Sequence, residues 1–226
     1  MNTAASAAAD PTATIRLRIS EIFFSLQGET SRAGLPTVFV RLTGCPLRCR
    51  WCDTEYAFTG GQYMLLDEIL AEVARHGTPY VCVTGGEPLA QRDCLGLLTA
   101  LCDAGYSVSL ETSGALDISG VDARVSRIMD LKAPGSAEAD KNRWENVPLL
   151  NTRDELKLVI ADETDYLWAR DVIAEHRLTE RCPVLLSPVQ GELNPQDLAA
   201  WVLRDKLAVR MQLQMHKVIW GNMRGV

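Results

Sequence analysis

Segments of strand character alternate with segments of helix character along most of this chain, and no other feature constrains its fold as much. Ile15, Leu17 and Ile19 fall at every second position, as one face of a strand requires. Thr37 to Leu42 is rich in Val and Phe and reads as a second strand. Asp67 opens a helix whose apolar face is Ile69, Leu70, Val73 and Ala74, and Gly77 stops it. Further strands are expected over Tyr80 to Val83, Ser107 to Glu111, Arg127 to Asp130, Glu155 to Ile160, Pro183 to Ser187 and Val209 to Gln214. Helices are expected over Asp93 to Ala104, from about Thr164 to Glu175, and from the Asn194-Pro195 cap to about Arg204. Gly114 to Val125 and Pro134 to Asn146 show the least regular pattern. Such alternation implies an α/β fold with a parallel sheet, and roughly six to eight strands fit a partial barrel, a complete barrel or an open sheet.

At 226 residues, 47% of them hydrophobic, the chain can bury one full core, so a single domain is expected over residues 15–226. Met1 to Thr14 is rich in Ala, Thr and Ser and carries no Lys or Arg. It reads as a disordered tail and lacks the basic start and apolar core of a secretory signal. No stretch approaches the roughly 18 apolar residues of a membrane span. The net charge of -6 argues against a nucleic-acid partner, whose backbone would be repelled. A cytoplasmic location follows as the expectation, and there thiols stay reduced. The seven cysteines are then core residues, metal ligands or catalytic thiols and not a disulfide framework.

Polar loops follow the expected strands: the cysteine-bearing segment after Leu42, Thr84-Gly85-Gly86-Glu87-Pro88, Thr112-Ser113-Gly114, Asp130-Leu131-Lys132 and Ser187-Pro188. In parallel α/β folds the site lies at the carboxyl ends of the strands, so these loops would line one mouth. The first of them reads Gly44-Cys45-Pro46-Leu47-Arg48-Cys49-Arg50-Trp51-Cys52-Asp53-Thr54. Three thiols this close can wrap one metal centre. Structural zinc takes four ligands, usually as two spaced pairs, and no fourth Cys or His lies nearby. A [4Fe-4S] cluster on three cysteines keeps one iron open for chemistry. A zinc knuckle with a distant fourth ligand stands as the other reading.

Cys-x3-Cys-aromatic-Cys, with Trp51 at the aromatic position, resembles the signature of the radical S-adenosylmethionine superfamily, and Gly85-Gly86-Glu87-Pro88 resembles its GGEP motif. The resemblance spans roughly Ile15 to the C-terminus. It implies a partial (β/α) barrel, a cluster on Cys45, Cys49 and Cys52, and S-adenosylmethionine bound to it. In that family the GGEP loop bonds the methionyl amine. Gly85 and Gly86 let backbone approach a ligand closely, and Gly86 is the residue of this loop expected at the cofactor. Trp51, Cys52 and Asp53 flank the cluster and could meet the adenosyl group. Glu111 and Ser113 fall where related enzymes contact the ribose. Asp130 and Lys132 stand where other members have Ser-Pro-Lys, and Ser187 opens a segment replacing a Gln-Pro type, so backbone contacts carry over there more readily than side-chain ones.

Within the superfamily, Glu21-Ile22-Phe23-Phe24-Ser25-Leu26-Gln27-Gly28-Glu29, Arg41 and Cys52-Asp53-Thr54 resemble the 7-carboxy-7-deazaguanine synthase family of queuosine biosynthesis, as does the end from Gln212 to Lys217 with Arg224-Gly225-Val226. The implied activity is that of a carbon–nitrogen lyase. It converts 6-carboxy-5,6,7,8-tetrahydropterin to 7-carboxy-7-deazaguanine with loss of ammonia. The resemblance also implies Mg2+ with Thr54 as its hydroxyl ligand, a flavodoxin or ferredoxin as reductant, and a homodimer. A lone hydroxyl suits a hard cation that keeps other oxygen ligands. Leu26, Gln27 and Gly28 offer backbone groups to the substrate. Gln27 or Glu29 can read the amide and amine edge of the pterin, and Arg41 can fork onto its carboxylate. Thr84 can donate to it and His216 can reach it. Simpler readings stand beside these: Arg41 as a strand-end surface arginine, Thr84 as a turn cap, and His216 as a structural histidine. In some members the C-terminal carboxylate touches substrate. The longer tail after His216 argues against that role for Val226.

Cys82, Cys94, Cys102 and Cys182 read as small apolar residues, and Trp144, Trp168, Trp201 and Trp220 as packing anchors. A glycyl-radical-enzyme activase is the rival enzyme; it shares the cysteines and the GGEP loop but has no need of Gln27, Glu29 and Arg41. A non-enzymatic zinc-binding module is the more distant alternative.

Overall fold

The computed structural model describes residues 15–221 and 223–226; the expected tail over residues 1–14 lies outside the described residues. Nine strands form one sheet in the order β3-β1-β2-β4-β5-β6-β7-β8-β9. They are β1 (Arg16–Leu26), β2 (Pro36–Leu42), β3 (Gln62–Leu65), β4 (Tyr80–Gly85), β5 (Ser107–Thr112), β6 (Ser126–Asp130), β7 (Glu155–Ile160), β8 (Val184–Pro188) and β9 (Arg210–Met211). From β2 to β9 every pairing is parallel. β1 pairs antiparallel with both β2 and β3. The sheet is therefore an unclosed barrel with an antiparallel edge, a departure from the all-parallel expectation. β3 escaped that expectation because its four residues, Gln-Tyr-Met-Leu, are too few for a clear alternation.

Helices α1 (Leu66–Ala74), α2 (Cys94–Asp103), α3 (Glu163–Glu175) and α4 (Pro195–Arg204) cross between strands, and α5 (Met215–Trp220) ends the fold. α2 buries Cys94, Leu97, Leu98 and Leu101, one stripe at helical spacing. The Asn194 side chain accepts from the Gln196 N–H at 3.0 Å, the cap expected before Pro195. Asp67 is not the cap of α1. Leu65 holds that position, and Glu68 reaches back to its N–H at 2.7 Å. The strand expected over Val209 to Gln214 shrinks to two residues. The Gln212 N–H still donates to the Leu186 carbonyl of β8 at 2.9 Å, while its side chain bonds the backbone of Thr30, the amide donating to the Thr30 carbonyl at 2.8 Å and the oxygen accepting from the Thr30 N–H at 2.9 Å.

The core lies between the sheet and the helices, with Leu17, Val40, Leu42, Val83, Leu110, Leu156 and Leu186 all buried. Cys94 and Cys182 are buried in it, Cys82 is buried in β4 outside it, and Trp144, Trp168 and Trp201 pack against it. At the amino ends of β6 and β7, Arg127 donates to both oxygens of the buried Asp154 at 3.1 and 2.6 Å. That end of the sheet is fixed by charge, and the carboxyl ends are left free for loops.

Candidate active site

The loop after β2 is long but not loose. Gly44 N–H donates to Ala57 O at 2.8 Å, Arg50 N–H to Ser136 O at 3.0 Å, and Cys52 N–H to Cys49 O at 3.2 Å. The Arg48 guanidinium holds the carbonyls of Cys45 and Leu47 at 2.8 and 2.6 Å. Backbone groups that a structureless loop would leave to water are thus satisfied, and the three cysteines are held in place. The loop after β4 is bonded to it: Gly86 N–H donates to Leu42 O at 3.2 Å and Glu87 N–H to Gly44 O at 2.7 Å. At Gly86 a Cβ would stand 2.3 Å from Gly44 O and 2.8 Å from the Cys45 Cβ, so no side chain fits there.

Glu87 is fully buried and meets no cofactor-facing space. Its carboxylate accepts from Leu89 N–H at 3.0 Å, Thr112 Oγ1 at 3.0 Å and Ser113 N–H at 2.6 Å, and also from the Ser113 hydroxyl. The GGEP carboxylate therefore locks the loop after β4 to the loop after β5. That engages the Ser113 hydroxyl internally.

These loops open on a cavity of about 650 Å³ at the carboxyl ends of the strands. Cys45, Cys49 and Cys52 line it as free thiols, together with Trp51, Asp53, Thr54, Gly86, Glu111, Ser113, Asp130 and Lys132. Leu26, Gln27, Gly28, Glu29, Arg41, Thr84 and His216 line it too. The expected site residues converge there with one exception. Ser187 is fully buried in β8 and its hydroxyl has no partner among the described residues. Packing at the level of Val159, its register partner, encloses it, and Val189 and Gln190 supply the wall instead. Val226 also lines the cavity. α5 turns the chain back toward Gly28, so the extra residues return to the mouth and do not overshoot it.

Among the described residues, no three His, Cys, Asp or Glu side chains are grouped to hold a single metal ion. Three thiols on one loop without a fourth suit a four-iron cluster with one open iron better than zinc. Burial pushes the Cys45 and Cys49 thiols up from their ordinary value, and the Lys132 ammonium opposes that. Iron binding would remove those protons, since the thiolate is the ligand. The Thr54 hydroxyl lies 3.8 Å from the Cys52 sulfur. Asp53 pairs with Lys217 at 3.3 Å. Despite the opposing effect of burial, Lys217 and Lys157 hold its carboxyl below the ordinary value.

Polar groups fill the far side of the cavity. Thr84 Oγ1 donates to one oxygen of Glu111 at 2.8 Å, and Gln27 Nε2 donates to the other at 3.2 Å. Arg41 gives its Nε–H to Glu21 at 2.8 Å, and Tyr56 gives its hydroxyl to the same oxygen at 2.8 Å. That leaves the outer nitrogens of Arg41 without a hydrogen bond among the described residues. Gly28 is packed so tightly against His216 that a Cβ would fall 2.1 Å from its Nδ1. Burial holds the His216 imidazole below its ordinary value of 6.5, against the pull of Glu29 and Asp53, so it is neutral at neutral pH. Lys157 stands 2.9 Å from Glu29, and Lys132 stands 2.8 Å from Asp130.

Lys157 and Tyr56 line the cavity without having been singled out in the sequence, and Lys217 and Arg224, which the sequence offered only as part of a resembling C-terminal run, line it too. Period-two spacing could have found Lys157, since Lys157 and Val159 share one face of β7 and both reach the cavity. Arg224 lies 4.2 Å from the centre of the Tyr56 ring, a contact between segments distant in sequence that no local pattern announces.

A sequence model of the Radical SAM superfamily matches residues 39–134. The chain is 52% identical over 214 residues to the 7-carboxy-7-deazaguanine synthase of Chlorobaculum tepidum, covering 93% of this chain and 97% of that one. It is 44% identical to the protein of the same name from Koribacter versatilis, covering 90% and 97% of the two chains. Its backbone is similar to the crystal structure of QueE from Escherichia coli, with a TM-score of 0.74 and 23% identity over 91% of this chain and 96% of that one. At that identity the structural likeness speaks for the fold.

Proposed function

This chain belongs to the 7-carboxy-7-deazaguanine synthase family of radical S-adenosylmethionine enzymes, and from that premise we propose how its cavity divides the work. The reaction converts 6-carboxy-5,6,7,8-tetrahydropterin to 7-carboxy-7-deazaguanine with release of ammonia, a step of queuosine biosynthesis. The observation that carries the assignment of roles is the convergence of three thiols, the GGEP loop and a set of unspent polar groups on one cavity.

Cys45, Cys49 and Cys52 would hold the [4Fe-4S] cluster. When bound, the cluster and S-adenosylmethionine supply the electron and the adenosyl radical that open the reaction. The chain's own residues bind, orient and exclude water. Backbone at Gly86, pressed against the cysteine loop, faces the methionyl amine. Glu111 and Ser113 frame the ribose side, although both already serve internal bonds. Asp130 and Lys132 sit beside the cluster as a closed ion pair, which fits a backbone or electrostatic role better than direct contact. Trp51 and Asp53 bound the adenosyl side. The outer nitrogens of Arg41 meet the substrate carboxylate, and Gln27, Glu29 and Thr84 meet its amide and amine edge. Leu26 and Gly28 contribute backbone, and His216 closes over Gly28. Thr54 offers a hydroxyl to Mg2+. A flavodoxin or ferredoxin as electron source, a homodimer and a cytoplasmic location belong to the same proposal. Among the described residues no helix is long and apolar enough to cross a membrane.

The test is anaerobic incubation of the reconstituted protein with carboxytetrahydropterin, S-adenosylmethionine and a reductant. The expected result is deazaguanine product from the parent protein. Cys49→Ala should give none and should lose the brown cluster absorbance, because two thiolates do not retain the cluster. Intact cluster absorbance without product from the parent protein would sink the assignment.

A further inference from the structure

Glu29 is only 7% exposed, and its two carboxylate oxygens are treated unequally. Oε2 accepts from the Lys157 ammonium at 2.9 Å. Oε1 is buried and has no hydrogen-bond partner among the described residues. A buried oxygen without a donor is costly, and in a ligand cavity it marks where a ligand's N–H belongs. Lys157 is half-buried, its side chain 13% exposed, and its second neighbour is Asp130 at 3.6 Å. The two carboxylates differ in how much they depend on it. Asp130 also has Lys132 at 2.8 Å, whereas among the described residues no other cation is paired with Glu29. Glu111, a like charge, also acts on Lys157, and burial disfavours the charged form of His216, on which Glu29 acts. Removing the ammonium would leave a buried carboxylate with no paired cation among the described residues, a situation in which proteins protonate the group or turn it away.

We propose that Lys157 is a positioning residue for substrate recognition: it holds Glu29 as an acceptor-only carboxylate, one oxygen locked and the other open to the amine edge of the bound heterocycle. This rests on the assignment of Glu29 to the substrate made above. Its consequence is chemical selectivity. An acceptor at this place takes a ring that presents an amine and rejects the same ring presenting a carbonyl, because two acceptors would then face each other. Lys157 touches the ring in neither case, yet the discrimination depends on it.

The experiment measures binding of 6-carboxypterin and 6-carboxylumazine to the cluster-loaded protein; the two share the ring and the carboxylate, and the second carries a carbonyl in place of the 2-amino group. The parent protein should prefer the pterin by about a hundredfold, since the lumazine leaves buried polar groups unpaired. Lys157→Met should reduce that ratio to about threefold, and Lys157→Arg should keep most of it, because charge and reach survive. Lys157→Gln, a donor without charge, takes the place of Lys157→Met if that variant fails to load the cluster. Glu29→Gln should collapse or invert the ratio, its amide being able to donate to the carbonyl. Equal weakening of both ligands in Lys157→Met, or an unchanged ratio there beside a collapsed ratio in Glu29→Gln, would overturn the role of Lys157 alone. An unchanged ratio in Glu29→Gln, or no preference in the parent protein, would overturn the assignment of Glu29 and Lys157 together.

Discussion

At the scale of single residues, the site works by forbidding side chains as much as by supplying them. Gly28 and Gly86 each stand where a Cβ has no room, one against His216 and the other against the cysteine loop. Gly28 also gives its carbonyl to the Met215 N–H at 2.9 Å, which seats the first turn of α5. Gly28→Ala is therefore expected to push His216 off its seat without unfolding the sheet. Steady-state kinetics should record a rise of about tenfold in KM for the carboxytetrahydropterin, equivalent to about 1.4 kcal/mol, with little change in thermal midpoint. A large drop in midpoint with unchanged KM would contradict this. Glu87 makes the opposite point. The most conspicuous carboxylate of the GGEP motif is spent wholly on Thr112, Ser113 and Leu89, so its charge organises loops and does not face the ligand.

At the scale of elements, the two ends of the parallel strands have different tasks. The amino ends of β6 and β7 are tied by Arg127 and Asp154, whose carboxylate also accepts from Asn151 N–H at 2.8 Å. Asp154→Ala leaves a buried guanidinium without its partner and should cost about 3 kcal/mol by urea denaturation. Because the pair lies at the end away from the cavity, kcat and KM of the folded fraction should hold. A matching fall in turnover at temperatures where the variant is fully folded would show that the two ends are coupled.

At the scale of the whole molecule, the unclosed sheet is drawn together by polar side chains in place of a strand ladder. The loop after β1 reaches β7 through Ser31 to Glu155, with Ser31 N–H donating at 3.0 Å, and through Glu29 to Lys157. It reaches past β9 through Thr30 and Gln212. One ion chain, Lys132–Asp130–Lys157–Glu29, then runs across the wall of the cavity. Its pH window follows from the direction of each shift. Burial alone would raise the Asp130 carboxyl, but Lys132 and Lys157 outweigh it and hold it below 3.8. Its contribution to stability is present above that value and is lost as pH falls through the lower native one. Burial alone would lower both lysines, but Asp130 outweighs it and holds them above 10.5. Their contribution is present below that value and is lost as pH rises through the higher native one. Urea midpoints should therefore show a plateau between those limits, and Asp130→Asn should make the acid-side fall shallower. An acid limb unchanged by that substitution would contradict the coupling.

The chain's own order of residues determined the α/β class, most strand and helix positions, the cysteine loop and the loops that meet it, because alternation, caps and short motifs are local properties of a sequence. It determined which residue types would face the cavity at Arg41, Thr84, Gly86 and Glu111 for the same reason: each ends a strand. Only the tertiary structure decided that Ser187 is sealed in packing, that the tail from Met223 to Val226 comes back to the mouth, and that Tyr56 belongs to the wall. These depend on which distant segments share a space. The ion pair between Lys157 and Glu29 joins residues 128 positions apart, and whether such a pair forms is set by the curvature of the sheet and the burial of both groups, neither of which is written in any local stretch of the chain.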